Sequence, residues 1–127
     1  MTFINAPFPM IVHAEDGQVL QINDAWTELT GYTITDIPTI GDWTFQAYGE
    51  RQELVQETIN NLYSIDEKRE EGEFEINTKD GTKRIWNFAS APLGQIADGR
   101  RTVLSMAMDV TERKTYENIL SQAKEQA

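Results

Sequence analysis

The chain has 127 residues, 21 acidic and 11 basic, for a formal charge of −10, and it contains no cysteine. That length suits one domain around one core. The charge repels a phosphate backbone and an anionic membrane surface alike, and the missing thiols exclude disulfides, thiolate metal sites and cysteine nucleophiles.

No apolar run reaches the ~18 residues that span a bilayer. The first residues, Met1-Thr2-Phe3-Ile4-Asn5, lack the charged and apolar regions of a signal peptide. The expectation is a soluble domain of a reducing compartment, the cytoplasm, with no nucleic-acid partner and no direct membrane contact.

Three Asp-Gly pairs, Asp16-Gly17, Asp80-Gly81 and Asp98-Gly99, each lie between segments of strand-like composition. Asp-Gly suits a tight type I′ hairpin, where both central residues need positive φ. The pairs predict three antiparallel connections: Met10–Ala14 to Val19–Ile22, Glu73–Asn77 to Lys83–Ala91, and from there to Thr102–Val110. The last segment is apolar on both faces apart from Ser105, which predicts a central strand covered from both sides. Residues 73–77 alternate Glu73, Phe74, Glu75, Ile76, the pattern of an edge strand with one wet face.

Between the first two hairpins the pattern is helical. Asn23 or Asp24 can cap a short helix that Gly31 ends. Thr33 to Pro38 reads as a turn, and Trp43 to Tyr48 as a short aromatic turn of helix. Glu50 to Tyr63 is the clearest helix, with Leu54, Val55, Thr58, Ile59, Leu62 and Tyr63 at helical spacing. Ser64 to Gly72 reads as a solvated, charged connector. From Glu112 to Ala127 a last helix is expected, capped by Thr111, with Tyr116, Leu120, Ala123 and Ala127 spaced as a short coiled-coil seam. It stops in mid-pattern, as in a chain cut from something longer.

Few residues suit catalysis. His13 is the only histidine, and no second site residue is placed near it, so it reads as structural or as a surface group. The serines lack an elbow sequence, the acidic residues lack the spacing of a calcium loop, and no glycine-rich phosphate loop occurs. Trp26, Trp43, Phe45, Tyr48, Trp86 and Phe88 suit either a core or the wall of a ligand cavity. Asn87 and Ser90 are polar residues on an inner strand: they either face water at an edge or are buried and need partners, of which a bound ligand is one kind.

The order of elements, with Glu15-Asp16-Gly17-Gln18-Val19-Leu20-Gln21-Ile22-Asn23, Leu29-Thr30-Gly31-Tyr32 and Asp109-Val110-Thr111-Glu112-Arg113-Lys114, resembles a PAS domain over roughly residues 5–115. Lys79-Asp80-Gly81-Thr82 and Ala91-Pro92-Leu93 match further habits of that family. The resemblance implies an α+β fold: a five-stranded antiparallel sheet in order 2-1-5-4-3, helices on one face and a C-terminal signalling helix. Residues 1–111 are then the sensor domain, and 112–127 the start of a linker to an output domain in the same polypeptide.

It also implies a non-catalytic bacterial sensory module, a homodimer, that relays a signal to a diguanylate cyclase or a histidine kinase. A small ligand would sit between sheet and helices, lined by Val12, Ile22, Trp43, Phe45, Leu54, Ile59, Asn87, Met106 and Met108. Asp109 and Thr111 would carry the relay. Cysteine-linked chromophores are excluded, and the 50–63 helix lacks the histidine that haem-binding relatives commonly place there. A non-covalent flavin or a small metabolite stays open. The alternatives are a ligand-free dimerisation scaffold and a small α/β carrier or enzyme.

Overall fold

The computed structural model describes Phe3 and residues 5–126. Five strands, β1 (Met10–Ala14), β2 (Val19–Ile22), β3 (Arg69–Asn77), β4 (Lys83–Gln95) and β5 (Arg101–Asp109), form one antiparallel sheet in order β2-β1-β5-β4-β3. Each Asp-Gly pair turns a hairpin, but in a form different from the expected one. The Gly17 N–H donates to the Ala14 carbonyl at 2.8 Å and the Ala14 N–H to the Gln18 carbonyl at 2.9 Å, and the loops at Thr78 and Ile96 repeat that pattern. Only the glycines take positive φ, 94°, 89° and 89°. This is the three-residue hairpin loop. The aspartates decide it: Asp16, Asp80 and Asp98 each accept the N–H two residues on at 3.0 Å, a local bond that holds the turn.

Helices α1 (Asp24–Thr30), α2 (Ile40–Tyr48) and α3 (Gln52–Asn60) cover one face, and α4 (Thr111–Gln126) leaves from the end of β5. Asn23 caps α1 by accepting from the Trp26 N–H, and the same oxygen accepts from Met10 N–H at 2.9 Å. Its amide donates to the Phe8 carbonyl at 2.7 Å. One buried side chain thus ties the helix to β1. The expected long helix is instead α3 between two 3-10 turns, Gly49–Arg51 and Asn61–Ser64. Val55, Ile59 and Leu62 lie under it on the core, while Leu54 is 72% exposed.

Two further expectations change. Residues 69–72 belong to β3 rather than to a loop, because they pair with β4. The central position of β5 is as expected, yet it is covered on one face only. Val103, Ser105 and Ala107 point to the core, and Met106 and Met108 are 37% and 51% exposed on the other face. An apolar residue on both faces of a strand therefore marked centrality here, not two-sided burial.

The core is aromatic. Trp26 and Trp86 are fully buried and Trp43 nearly so, with ring centroids 4.6 Å apart for Trp26–Trp43 and 5.1 Å for Trp26–Trp86. Edge-to-face contacts of this kind add to the area they bury.

Candidate functional site

Between the inner face of the sheet and the helices lies a cavity of about 30 Å³, room for a water molecule or two. Ile40, Trp43, Val55 and Ile59 face it from the helices, and Ile11, His13, Phe88 and Ser105 from the sheet. The indole N–H of Trp26, which also borders it, has no hydrogen-bond partner among the described residues. The interior is filled by its own tryptophans.

One wall is polar. The Tyr63 hydroxyl lies 2.7 Å from His13 Nδ1, His13 Nε2 lies 3.0 Å from Ser105 Oγ, and Ser105 Oγ lies 2.7 Å from Ser90 Oγ. Ser90 then bonds the Glu71 carboxylate. His13, Ser90 and Ser105 are buried, and the two ends, Tyr63 and Glu71, are half-buried. A bulge between Glu70 and Gly72 builds the Glu71 end. Phe74 and Ile76 face inward at alternate positions, and the extra residue turns Glu71 inward as well. Gly72, with φ of 100°, sits at that bend.

Burial pushes the His13 pKa down to about 4. Burial raises Glu71, against the hydrogen bond from Ser90 and the charge of Arg69. Tyr48 is raised by burial and by the Glu71 charge, and Tyr63 by burial with Asp16 and Glu15. Each shift favours the neutral form of its group, as expected beside an apolar core.

A second polar cluster joins this interior to α4. Asp109 Oδ2 accepts from the Trp86 Nε1–H at 2.9 Å and from Arg84. Asp109 Oδ1 accepts the Thr111 N–H at 3.0 Å, and the Thr111 hydroxyl oxygen accepts the Ile85 N–H at 2.9 Å. Burial alone would raise Asp109; the bonds from Arg84, Thr111 and Trp86 outweigh it and hold the carboxyl below its usual range. Arg113 and Lys114, in the first turn of α4, pair with Glu73 of β3 at 2.8 and 2.9 Å.

Of the expected pocket residues, Trp43 and Ile59 border the cavity and are brought together there. Ile22 packs against the core without facing the cavity. The others lie elsewhere. Val12, Asn87, Met106 and Met108 alternate onto the outer face of the sheet, because Ile11, His13, Trp86, Phe88, Ser105 and Ala107 take the inner one. Phe45 and Leu54 stand on the solvent sides of α2 and α3, 62% and 72% exposed. Asp109 and Thr111 meet at the junction of β5 and α4.

Sequence reasoning singles out Ser90 as a polar residue on an inner strand but misses the chain that joins it to His13, Ser105 and Glu71. A signal existed for two of them: His13 shares the parity of Ile11, and Ser105 is the polar interruption of an apolar strand. Glu71 carried only an indirect one, the neighbouring Gly72, since a glycine within a strand marks a bulge and a bulge shifts the strand phase.

The family model for the PAS domain matches residues 7–112. Among solved structures, the PAS domain from Bordetella pertussis BvgS is similar at 21% identity and TM-score 0.70, covering 98% of this chain and 93% of that one. A domain of the sensory box sensor histidine kinase/response regulator from Geobacter sulfurreducens is similar at 19% identity and TM-score 0.63, covering 84% and 87%. The Rhodobacter sphaeroides LOV protein is similar at 13% identity and TM-score 0.67, covering 85% and 62%. No curated protein matches the chain.

Proposed function

The chain belongs to the PAS domain family, and from that premise we propose that it is a relay which couples the packing of its tryptophan core to the C-terminal helix. Domains of this family are in general sensory modules of signalling proteins and not catalysts. The observation that carries the relay is the position of Asp109. One carboxylate accepts from Trp86 in the core, from Arg84 on the same strand as Trp86, and from the first amide of α4. A shift of the Trp86 ring must either stretch the 2.9 Å bond or drag the carboxylate that fixes Thr111. A stimulus biases this arrangement only by its differential affinity for the two packings.

The rest of the proposal is that the domain acts as a cytoplasmic homodimer in a bacterial protein and controls an output domain of the same polypeptide, a diguanylate cyclase or a histidine kinase. Residues 1–111 would be the sensor and α4 the start of the connection. Support for the output comes from the resemblance and from the similar domain that belongs to a sensor histidine kinase. Support for the dimer comes from the apolar side chains left uncovered on α4, Tyr116, Ile119 and Leu120. Among the described residues no helix is long and apolar enough to cross a membrane.

A second reading, a module that works by contact without a small ligand, is favoured by the size of the cavity. About 30 Å³ holds water and not a metabolite. A flavin does not fit the interior in this packing, nor does haem, and entry of either requires α2 and α3 to move away from the sheet.

Trp86→Phe tests the relay, since it keeps a ring in the core and removes the N–H. Hydrogen exchange at the first-turn amides of α4 is expected to speed up while the β1 and β5 amides keep their protection. Unchanged exchange at Thr111 to Lys114 would remove Trp86 from the relay. In the intact polypeptide, Asp109→Ala is expected to alter the response of the output to its stimulus.

A further inference from the structure

The polar wall of the cavity is a continuous hydrogen-bonded chain that takes one residue from each of four adjacent strands. Glu71 comes from β3, Ser90 from β4, Ser105 from β5 and His13 from β1, and Tyr63 closes the chain from the 3-10 turn after α3. Each inner member has one donor and at least one acceptor, so the protons can be ordered in two ways.

With Glu71 ionised, it accepts from Ser90, Ser90 accepts from Ser105, and Ser105 accepts from His13 Nε2–H. The Tyr63 hydroxyl then donates to the bare Nδ1. With Glu71 protonated, every bond reverses. Glu71 donates to Ser90, Ser90 to Ser105, Ser105 to a bare Nε2, and His13 Nδ1–H donates to the Tyr63 oxygen. No member is left unsatisfied in either order, and no net charge enters the buried centre.

We propose that this chain is a proton-binding switch, in which uptake of one proton protonates Glu71 and converts His13 from the Nε2–H to the Nδ1–H tautomer. The Nε2 proton passes to Ser105, that of Ser105 to Ser90 and that of Ser90 to Glu71, while the Tyr63 proton passes to Nδ1. The Tyr63 oxygen takes the new proton from solvent and donates it outward. A protonation event at the edge of the sheet is thereby read on its far side. The inference holds whether or not α4 relays a signal.

The surroundings favour a neutral route. Burial holds the His13 pKa near 4, so the ring changes tautomer in preference to becoming an imidazolium. Glu71 is raised. The charged and titratable groups facing it are Arg69 on its own strand and Tyr48 from α2, with the Arg51 guanidinium 5.6 Å from the Tyr48 ring centre. Asp16 and Glu15, from the first hairpin, act on Tyr63. An exposed carboxylate in place of Glu71 would titrate near the ordinary value of about 4.3 and would not drive the chain.

The test is a pH titration by NMR of the 15N shifts of the His13 ring and the 13C shift of the Glu71 carboxyl, from about pH 8 to about pH 5 and on to the charging of the ring. The two ring nitrogens are expected to exchange protonated and unprotonated signatures at the midpoint of Glu71, above about 4.3. In Ser90→Ala, Glu71 still titrates and His13 no longer follows. In Glu71→Gln the tautomer is independent of pH. The proposal is overturned if His13 keeps one tautomer while Glu71 titrates, or if Glu71 stays ionised until the ring itself charges. It is equally overturned if the coupling survives Ser90→Ala. The wild-type titration decides the matter even where a variant fails to fold.

Discussion

Trp86 and Asp109 face each other across β4 and β5, and the indole N–H of one donates to the carboxylate of the other at 2.9 Å. The pair has one partner in the fully buried core and the other at the root of α4, so its loss is felt at both. Asp109→Ala leaves the buried Trp86 N–H without an acceptor and removes the partner of Arg84. The expected cost is about 2–3 kcal/mol, read from urea denaturation midpoints. Asp109→Asn, which keeps an acceptor for Trp86, is expected to cost less.

Stability should fall with acidity through His13. Its folded pKa of about 4 lies below the unfolded value of about 6.5. Between the two, only the unfolded ring takes up a proton. Unfolding is therefore favoured as pH drops from about 6.5 to about 4, by up to about 3 kcal/mol. Glu71, raised in the fold, works the other way: its contribution is present below the unfolded value of about 4.3 and lost as pH rises through its folded value. Asp109, lowered in the fold, contributes above about 3.9, and that contribution is lost as pH falls through its folded value. Denaturation midpoints at about pH 7.5 and about pH 4.5 check the balance. His13→Gln is expected to flatten the slope, and an equal slope in that variant contradicts the assignment.

Trp43 is 2% exposed and packs against both Trp26 and Trp86. Trp43→Ala is expected to cost about 3–5 kcal/mol and to enlarge the small cavity into one that admits an aromatic ring. Added indole should then raise the melting temperature of the variant and leave the wild type unchanged. Indole that stabilises both proteins equally would show that it binds elsewhere.

Gly31 and Gly17 both have positive φ, 81° and 94°, but they differ in surroundings. A Cβ at Gly17 meets open space, whereas one at Gly31 would lie 3.1 Å from Lys79 Cβ. Gly17→Ala is expected to cost about 1–2 kcal/mol from the backbone alone. Gly31→Ala is expected to cost more, because the end of α1 must separate from the hairpin after β3. Thermal unfolding of the two variants gives the ranking directly.

Ile119 is 56% exposed on α4. Ile119→Lys should leave the stability of the fold within about 0.5 kcal/mol. If α4 packs against its copy in the homodimer, sedimentation equilibrium will show the variant as a monomer where the wild type is dimeric. A wild type that sediments as a monomer refutes the dimer.

Much of the architecture was legible because its signals are local. Asn23 and Gly31 mark the ends of α1 and three Asp-Gly pairs mark three hairpins; Thr111 is the first residue of the last helix, but its hydroxyl accepts the Ile85 N–H instead of capping that helix as expected. Alternation in Phe74 and Ile76 gave the inward face of β3, and the order of these pieces was enough for the family. Ala127, the last position of the expected seam, lies outside the described residues; Tyr116 and Leu120 are exposed on α4.

What the linear order determined, then, was which segments become strands and helices and where the chain reverses, since caps, turns and periodicity act over a few residues. Which face each strand shows to the core, and so whether Met106 or Ser105 meets the cavity, waited on registry between strands distant in sequence. Glu71 makes the point most sharply. A single extra residue in β3 reverses the direction of its side chain, and only pairing with β4 decides where that residue sits.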